Sequence, residues 1–216
     1  MPLNERWLKL AYWNAGENWM MWAEDFEFIY NTARLNPAHL NPAHLPVLAN
    51  HDRYHAFIKT YNLLRYNTTV QRNAIREYLH NGDDFSEAVN DPTGEHIDNL
   101  ADALQEQFPY LNLERSLLSK LAMLAMPHSF LPWDRFARKG LAILAHGRAG
   151  GNFNTYADYL QNANNFLNDV HHEIEKFLIC RPIPTDNDNR QAFIRRIFDG
   201  YLMIQGGRWQ NIIAGH

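Results

Sequence analysis

Apolar residues recur every three or four positions through most of this chain, the spacing that lines one face of an α-helix. The pattern runs through Trp7–Trp13, Trp19–Tyr30, Tyr54–Leu64, Val70–Leu79, Ile97–Phe108, Leu113–Met126, Phe136–Leu144, Tyr156–Ile179 and Phe193–Ile204. Starts and stops agree with it. Asn50, Thr68 or Thr69, Asn112 and Asn154 are N-cap types placed just before periodic segments; Asn81-Gly82, Gly147 and Gly206-Gly207 follow their ends. Alternating, strand-like runs are scarce. The pattern therefore predicts an all-α fold of about nine or ten helices with no substantial sheet, a single compact, two-lobed helical domain spanning residues 1–216.

Two segments interrupt the periodicity. Leu35-Asn-Pro-Ala-His is repeated at once as Leu40-Asn-Pro-Ala-His. Each Asn precedes a proline, which disfavours helical backbone there, so a connector or a pair of short turns is expected. One five-residue duplication is too short to signal a solenoid. Arg181-Pro-Ile-Pro-Thr-Asp-Asn-Asp-Asn forms a second linker before the last long helix.

Composition adds little to the class but changes the electrostatics. The net charge of −4 argues against indiscriminate nucleic-acid binding. That average conceals a segregation. Residues 81–110 carry Asp83, Asp84, Glu87, Asp91, Glu95, Asp98, Asp102 and Glu106 with no Lys or Arg. Residues 115–148 carry Arg115, Lys120, Arg135, Arg138, Lys139 and Arg148 against the single acid Asp134. A locally positive surface in an acidic chain is the expectation. Cys180 is the only cysteine, which excludes an internal disulfide and a cysteine-ligated cluster. It follows an apolar helix end and is expected to be buried. No apolar run reaches about 18 residues and no signal peptide is indicated, so the chain reads as soluble and cytoplasmic.

The basic stretch is also where reactive residue types gather. A helix carrying Lys120 should stop at Pro127, six residues of rise (about 9 Å) separating Lys120 from Met126. A short loop through Pro132 then leads to Asp134 at the N-cap or first turn of the next helix, where backbone amides stabilise its charge. Lysine is a nucleophile when its surroundings favour the neutral amine, and a carboxylate nearby stabilises developing positive charge. Trp133 offers a flat face on which a base could stack. The same residues also have an ordinary reading, a helix cap beside a solvated lysine.

Ser119-Lys120, the small and apolar helix after it, Pro127, Phe130, Pro132-Trp133-Asp134 and Ala137-Arg138 resemble the catalytic stretch of the helix-hairpin-helix DNA glycosylase superfamily. Within it, the stretch is most similar to bacterial proteins like 8-oxoguanine DNA glycosylase. The resemblance covers about 25 residues, and its helix pair spans about residues 112–146. It implies that Lys120 attacks C1′ of a damaged nucleotide and that Asp134 stabilises the sugar cation. It implies double-stranded DNA with a damaged or modified base as partner, flipped into a pocket between helical lobes. Arg115, Arg135, Arg138, Lys139 and Arg148 would then hold phosphates, and no cofactor or metal is required. Repair by base excision or defence against modified phage DNA are the implied settings. Two features depart from the pattern: the segment Leu113–Ser119 lacks the usual hairpin glycines, and the Lys–Asp loop is short.

Other constellations are weaker. His51 and His55 share a helix face at i, i+4, a spacing that suits zinc, with Asp52 between and His39 and His44 upstream. A metal-dependent phosphohydrolase is the reading they open. His171-His172-Glu173 places neighbours on different faces. Both groups are better explained as hydrogen-bonding residues. A non-catalytic helical DNA-binding or protein-interaction module is the remaining alternative.

Overall fold

In a computed structural model of the chain, residues 3–21, 45–64, 67–111, 114–146, 153–183 and 187–208 are described. Among them lie ten helices and no strand. In chain order these are α1 (Glu5–Met21), α2 (Pro46–Ala49), α3 (His51–Thr60), α4 (Thr69–Asn81), α5 (Asp84–Asn90), α6 (Glu95–Gln107), α7 (Glu114–Ala125), α8 (Arg135–His146), α9 (Tyr156–Leu178) and α10 (Asn187–Gln205). The all-α reading holds. No helix among the described residues is long and apolar enough to cross a membrane.

The chain divides into two compact units. The first comprises residues 1–21 and 127–216, the second residues 22–126. In the first unit α10 is central, packing on α1, α8 and α9. Its run from Ala192 to Ile204 is buried except at Arg195, as befits a helix covered on all sides. Two glycines set how closely α8 approaches it. A Cβ on Gly140 would overlap the Leu202 carbonyl oxygen and stand 2.8 Å from its carbon. One on Gly206 would overlap the Phe136 carbonyl oxygen and stand 2.7 Å from its carbon. Backbone meets backbone at both places, and only glycine fits. Aromatic packing supports α1 from the same helix: the Trp7 and Tyr201 rings lie 5.9 Å apart, and Tyr12 meets Phe193 edge-on at 5.9 Å.

In the second unit neighbours in sequence pack on one another: α2 on α3 and α4, α4 on α5, α5 on α6, and α6 on α7. Local caps fix where these helices begin. Asn50 accepts the Arg53 amide at 3.0 Å to open α3. Thr68 and Gln71 form a reciprocal capping box on α4, with Gln71 N–H to Thr68 Oγ1 at 3.3 Å and Thr68 N–H to Gln71 Oε1 at 2.8 Å. Thr68→Ala is expected to lower stability by about 1 kcal/mol, read as a shifted urea midpoint at unchanged slope.

Several local expectations need correction. Segments read as separate at Trp7–Trp13 and from Trp19 onward join in one helix through Gly16, where an added Cβ would meet nothing within 4 Å. Helix α5 has no counterpart in the periodic pattern, because only Phe85, Ala88 and Val89 supply its buried face. The cap of α9 is Thr155, accepting from Asp158 N–H, rather than Asn154. Cys180 is exposed in the turn after α9, not buried. The tandem Leu-Asn-Pro-Ala-His segments, Trp22–Tyr30, Asn112, Leu113 and the Gly147–Gly151 run lie outside the described residues.

Candidate functional site

Residues 117–125 of α7 are buried without interruption, so the helix presents no solvated face over more than two turns. Lys120 sits in the middle of that run and is only 4% exposed. Its ammonium therefore depends on local partners. Nζ donates to Ser116 Oγ at 2.7 Å and approaches the Ser116 carbonyl at 3.5 Å. It also lies 6.0 Å from the centroid of the Tyr61 ring, at the outer range of a cation–π contact. Burying an ammonium is costly, and hydroxyl, carbonyl and aromatic face offset part of that cost. The expectation of a solvated lysine does not describe this residue.

Asp134 is the N-cap of α8. Its Oδ1 accepts the Phe136 N–H at 2.8 Å, and its backbone carbonyl accepts Arg138 N–H at 3.0 Å, the first bond of the helix. The carboxylate is thereby aimed along the positive end of the helix dipole and held in one orientation. Pro132 and Trp133 precede it in non-helical chain, where the Asp134 N–H donates to the Pro132 carbonyl at 2.9 Å. The helix carrying Asp134 is in turn located by the Gly140 and Gly206 contacts on α10.

Around Asp134 the first unit gathers an aromatic and cationic group. The Arg138 guanidinium lies over the Trp133 ring at 4.1 Å, and Trp133 meets Tyr156 and Tyr159 edge-on at 6.1 and 5.6 Å. One face of the indole is thus occupied by Arg138. Burial pushes the Arg138 guanidinium below its ordinary value, opposed by the charges of Tyr159 and Asp134. Burial holds the Tyr159 phenol well above its usual range, with Asp199, Tyr156 and Asp134 adding to the shift. Among the described residues nothing hydrogen-bonds the Tyr159 hydroxyl. Arg195, pushed down to about 10 by burial, donates to the Ser129 carbonyl at 2.8 Å and to Asn164 Oδ1 at 2.7 Å, tying the loop before Asp134 to α9 and α10.

The remaining sequence-predicted cations have separate fates. Arg115 is engaged twice within its own unit: Nε donates to Asp98 at 2.6 Å and Nη2 to Asp102 at 3.0 Å. A phosphate reaching Arg115 would compete with both carboxylates. Arg135 is exposed and lies over the Phe136 ring at 4.9 Å; Lys139 is exposed on the same helix. Arg148 lies outside the described residues. Lys120 belongs to the second unit, whereas Trp133, Asp134, Arg135, Arg138 and Lys139 belong to the first.

The histidines of α3 serve other partners. The His51 and His55 rings lie 4.4 Å apart; His51 Nδ1 meets Asp52 at 3.1 Å and His55 Nε2 meets Asn73 Oδ1 at 3.0 Å. His171 meets Gln191 across α9 and α10 at 3.1 Å. Among the described residues no group of three or more His, Cys, Asp or Glu side chains is placed to share a metal.

Ser116 and Tyr61 are partners of the lysine that sequence reasoning missed. The Ser116–Lys120 contact follows an i, i+4 spacing that the sequence displays. Tyr61, far from Lys120 in sequence, carries no such signal. Comparison of the chain with protein-family models, with curated proteins and with solved structures finds no match.

Proposed function

We propose that the chain is a DNA N-glycosylase, with abasic lyase activity arising from a lysine nucleophile. The observation that carries the reading is the state of Lys120. A cation kept at 4% exposure in the middle of an apolar helix, gripped by Ser116 rather than released to water, incurs a folding cost that a structural role does not require. Support comes also from Asp134, a carboxylate fixed at a helix start on the next helix of the chain, as the resemblance of residues 119–138 implies.

In this mechanism the target nucleotide leaves the duplex stack at a cost of a few kcal/mol. Asp134 stabilises positive charge on the sugar as the glycosidic bond breaks. The Lys120 amine, having lost its proton, attacks C1′ and the base departs with the bonding pair and a proton. Ring opening of the resulting hemiaminal ether, with O4′ leaving C1′ and taking up a proton, gives a Schiff base between Nζ and C1′. Loss of a C2′ proton then eliminates the 3′ phosphate.

The test is base release from a panel of duplexes carrying oxidised, deaminated and alkylated bases, followed by borohydride reduction. A DNA–protein adduct stable to denaturing electrophoresis is the expected product on at least one substrate, and on abasic DNA. Absence of both release and adduct across the panel would sink the reading and leave a non-catalytic helical module.

A further inference from the structure

The second unit contains a cavity of about 330 Å³ lined by His55, Ile58, Lys59, Asn62, Leu63 and Arg72. That is the lower end of the volume range of small-ligand sites, roughly 300–1,000 Å³. Its chemistry is one-sided. Lysine and arginine ammonium and guanidinium groups, an imidazole and an amide meet an apolar floor of Ile58 and Leu63, and the described lining residues carry no carboxylate.

Two of the polar elements are held in place by observed contacts. Arg72 Nε donates to the Leu64 carbonyl at 3.1 Å, which fixes the plane of the guanidinium. His55 is oriented by Asn73. The cavity wall after α3 is a tight turn in which Asn62 (φ 52°) and Leu64 (φ 47°) both adopt left-handed backbone. For leucine this is a costly conformation, and surrounding structure must impose it. The turn also engages the end of α3. Tyr61, Asn62 and Leu63 amides donate to the Phe57, Lys59 and Ile58 carbonyls at 3.0, 3.1 and 2.9 Å. Those carbonyls would otherwise repel an anion at the negative end of the helix.

We infer that this cavity is a phosphate-binding site that takes a phosphodiester of the DNA backbone. Arginine and lysine together suit a tetrahedral anion that only accepts hydrogen bonds, and the Ile58–Leu63 floor suits the adjoining sugar. Its choice of DNA as the source of the phosphate rests on the glycosylase reading. The link is Tyr61, next to Asn62 in the turn, whose ring faces the Lys120 ammonium. A strand held at Lys59 is therefore held two residues from the Tyr61 ring, which lies 6.0 Å from the proposed nucleophile. The site also supplies a phosphate grip where the segment before Lys120 has no hairpin glycines and Arg115 is committed to Asp98 and Asp102.

The experiment measures affinity for a labelled duplex bearing a tetrahydrofuran abasic analogue, by fluorescence anisotropy, between about 50 and 200 mM potassium chloride. Wild-type chain is compared with Lys59→Glu, at an exposed position, and with Arg72→Gln, the fold of both checked by circular dichroism. Lys59→Glu should weaken binding about tenfold or more and reduce the slope of log K against log salt by about one for each phosphate no longer neutralised. Arg72→Gln should change both in the same direction. Amide resonances of Asn62 and Leu63 should shift on adding the duplex, and inorganic phosphate should compete. Equal affinity and slope in wild type and both variants would overturn the site, as would a wild type that does not bind the duplex. A shift caused by inorganic phosphate or a mononucleotide, with duplex affinity indifferent to Lys59→Glu, would overturn the assignment to DNA. Salt-dependent binding abolished in Lys59→Glu, with no base release from any substrate, would sink the glycosylase reading and leave the phosphate site standing. Base release with Lys59→Glu indistinguishable from wild type in affinity and slope would do the reverse.

Discussion

Gly140→Ala is expected to destabilise the chain by about 3 kcal/mol or more, at the upper end of overpacking penalties. The reason is the partner it meets. A methyl group there would overlap the Leu202 carbonyl oxygen and stand 2.8 Å from its carbon, and backbone atoms of α10 cannot rotate aside as a side chain can. Either α8 moves off α10 or the Leu202 peptide gives up its helical bond to Gly206 N–H, observed at 2.9 Å. Gly206→Ala meets the Phe136 carbonyl in the same way and should cost a similar amount. Gly16→Ala is the control. Nothing lies within 4 Å of its added Cβ, and it sits inside α1. Replacing a helical glycine by alanine there should stabilise by about 0.5–1 kcal/mol. Urea unfolding monitored by far-ultraviolet circular dichroism would read all three. A destabilisation under about 1 kcal/mol for Gly140→Ala would show that the α8–α10 packing is not rigid. Because Asp134 caps α8, the same variant should also blunt any activity that depends on that carboxylate.

These glycines show where sequence reading stops. Gly206 reads as a helix terminator, which it is, since α10 ends at Gln205. Nothing in its neighbourhood reveals that it also admits the Phe136 carbonyl, from a residue far away in the chain. Gly140 reads merely as an unfavourable residue inside a helix. The helices themselves were legible because amphipathic periodicity is a local property, and caps at Asn50, Thr68 and Asp134 obey local hydrogen-bonding rules. Helix α5 was not, since so short a helix holds too little of the period to stand out among Asp83, Asp84, Glu87 and Asp91. Asp134 could be read as a cap from its place after Pro132-Trp133. The burial of Lys120 could have been inferred from the unbroken small and apolar run around it, but its approach to Tyr61 could not. The basic cavity joins His55 and Lys59 on α3 to Arg72 on α4 through a left-handed turn, and no periodicity encodes that juxtaposition.

Lys120→Met should separate chemistry from folding. Methionine preserves most of the buried volume of the lysine stem and removes the charge. Burying an ammonium against a hydroxyl, a carbonyl and an aromatic ring costs more than burying a thioether, so the variant should melt at or above the wild-type temperature. Stability sacrificed at a reactive residue is a common feature of working sites. Borohydride adducts, by contrast, should vanish, because no amine remains to form the Schiff base. Base release should fall by a factor of about 10³ or more, the scale on which a nucleophile and its charge matter. Asp134→Asn provides the complementary case. Asparagine caps a helix about as well as aspartate, so Phe136 N–H keeps its acceptor and the melting temperature should hold within about 2–4 °C, the effect of roughly 1 kcal/mol. Removing the carboxylate charge should lower single-turnover base release by about 10²–10³ while leaving duplex affinity near its wild-type value. Asp134→Ala would also remove the cap, costing about 1 kcal/mol more. If Lys120→Met unfolds the second unit while Asp134→Asn leaves base release untouched, the lysine is a structural donor to Ser116 and the carboxylate only a cap.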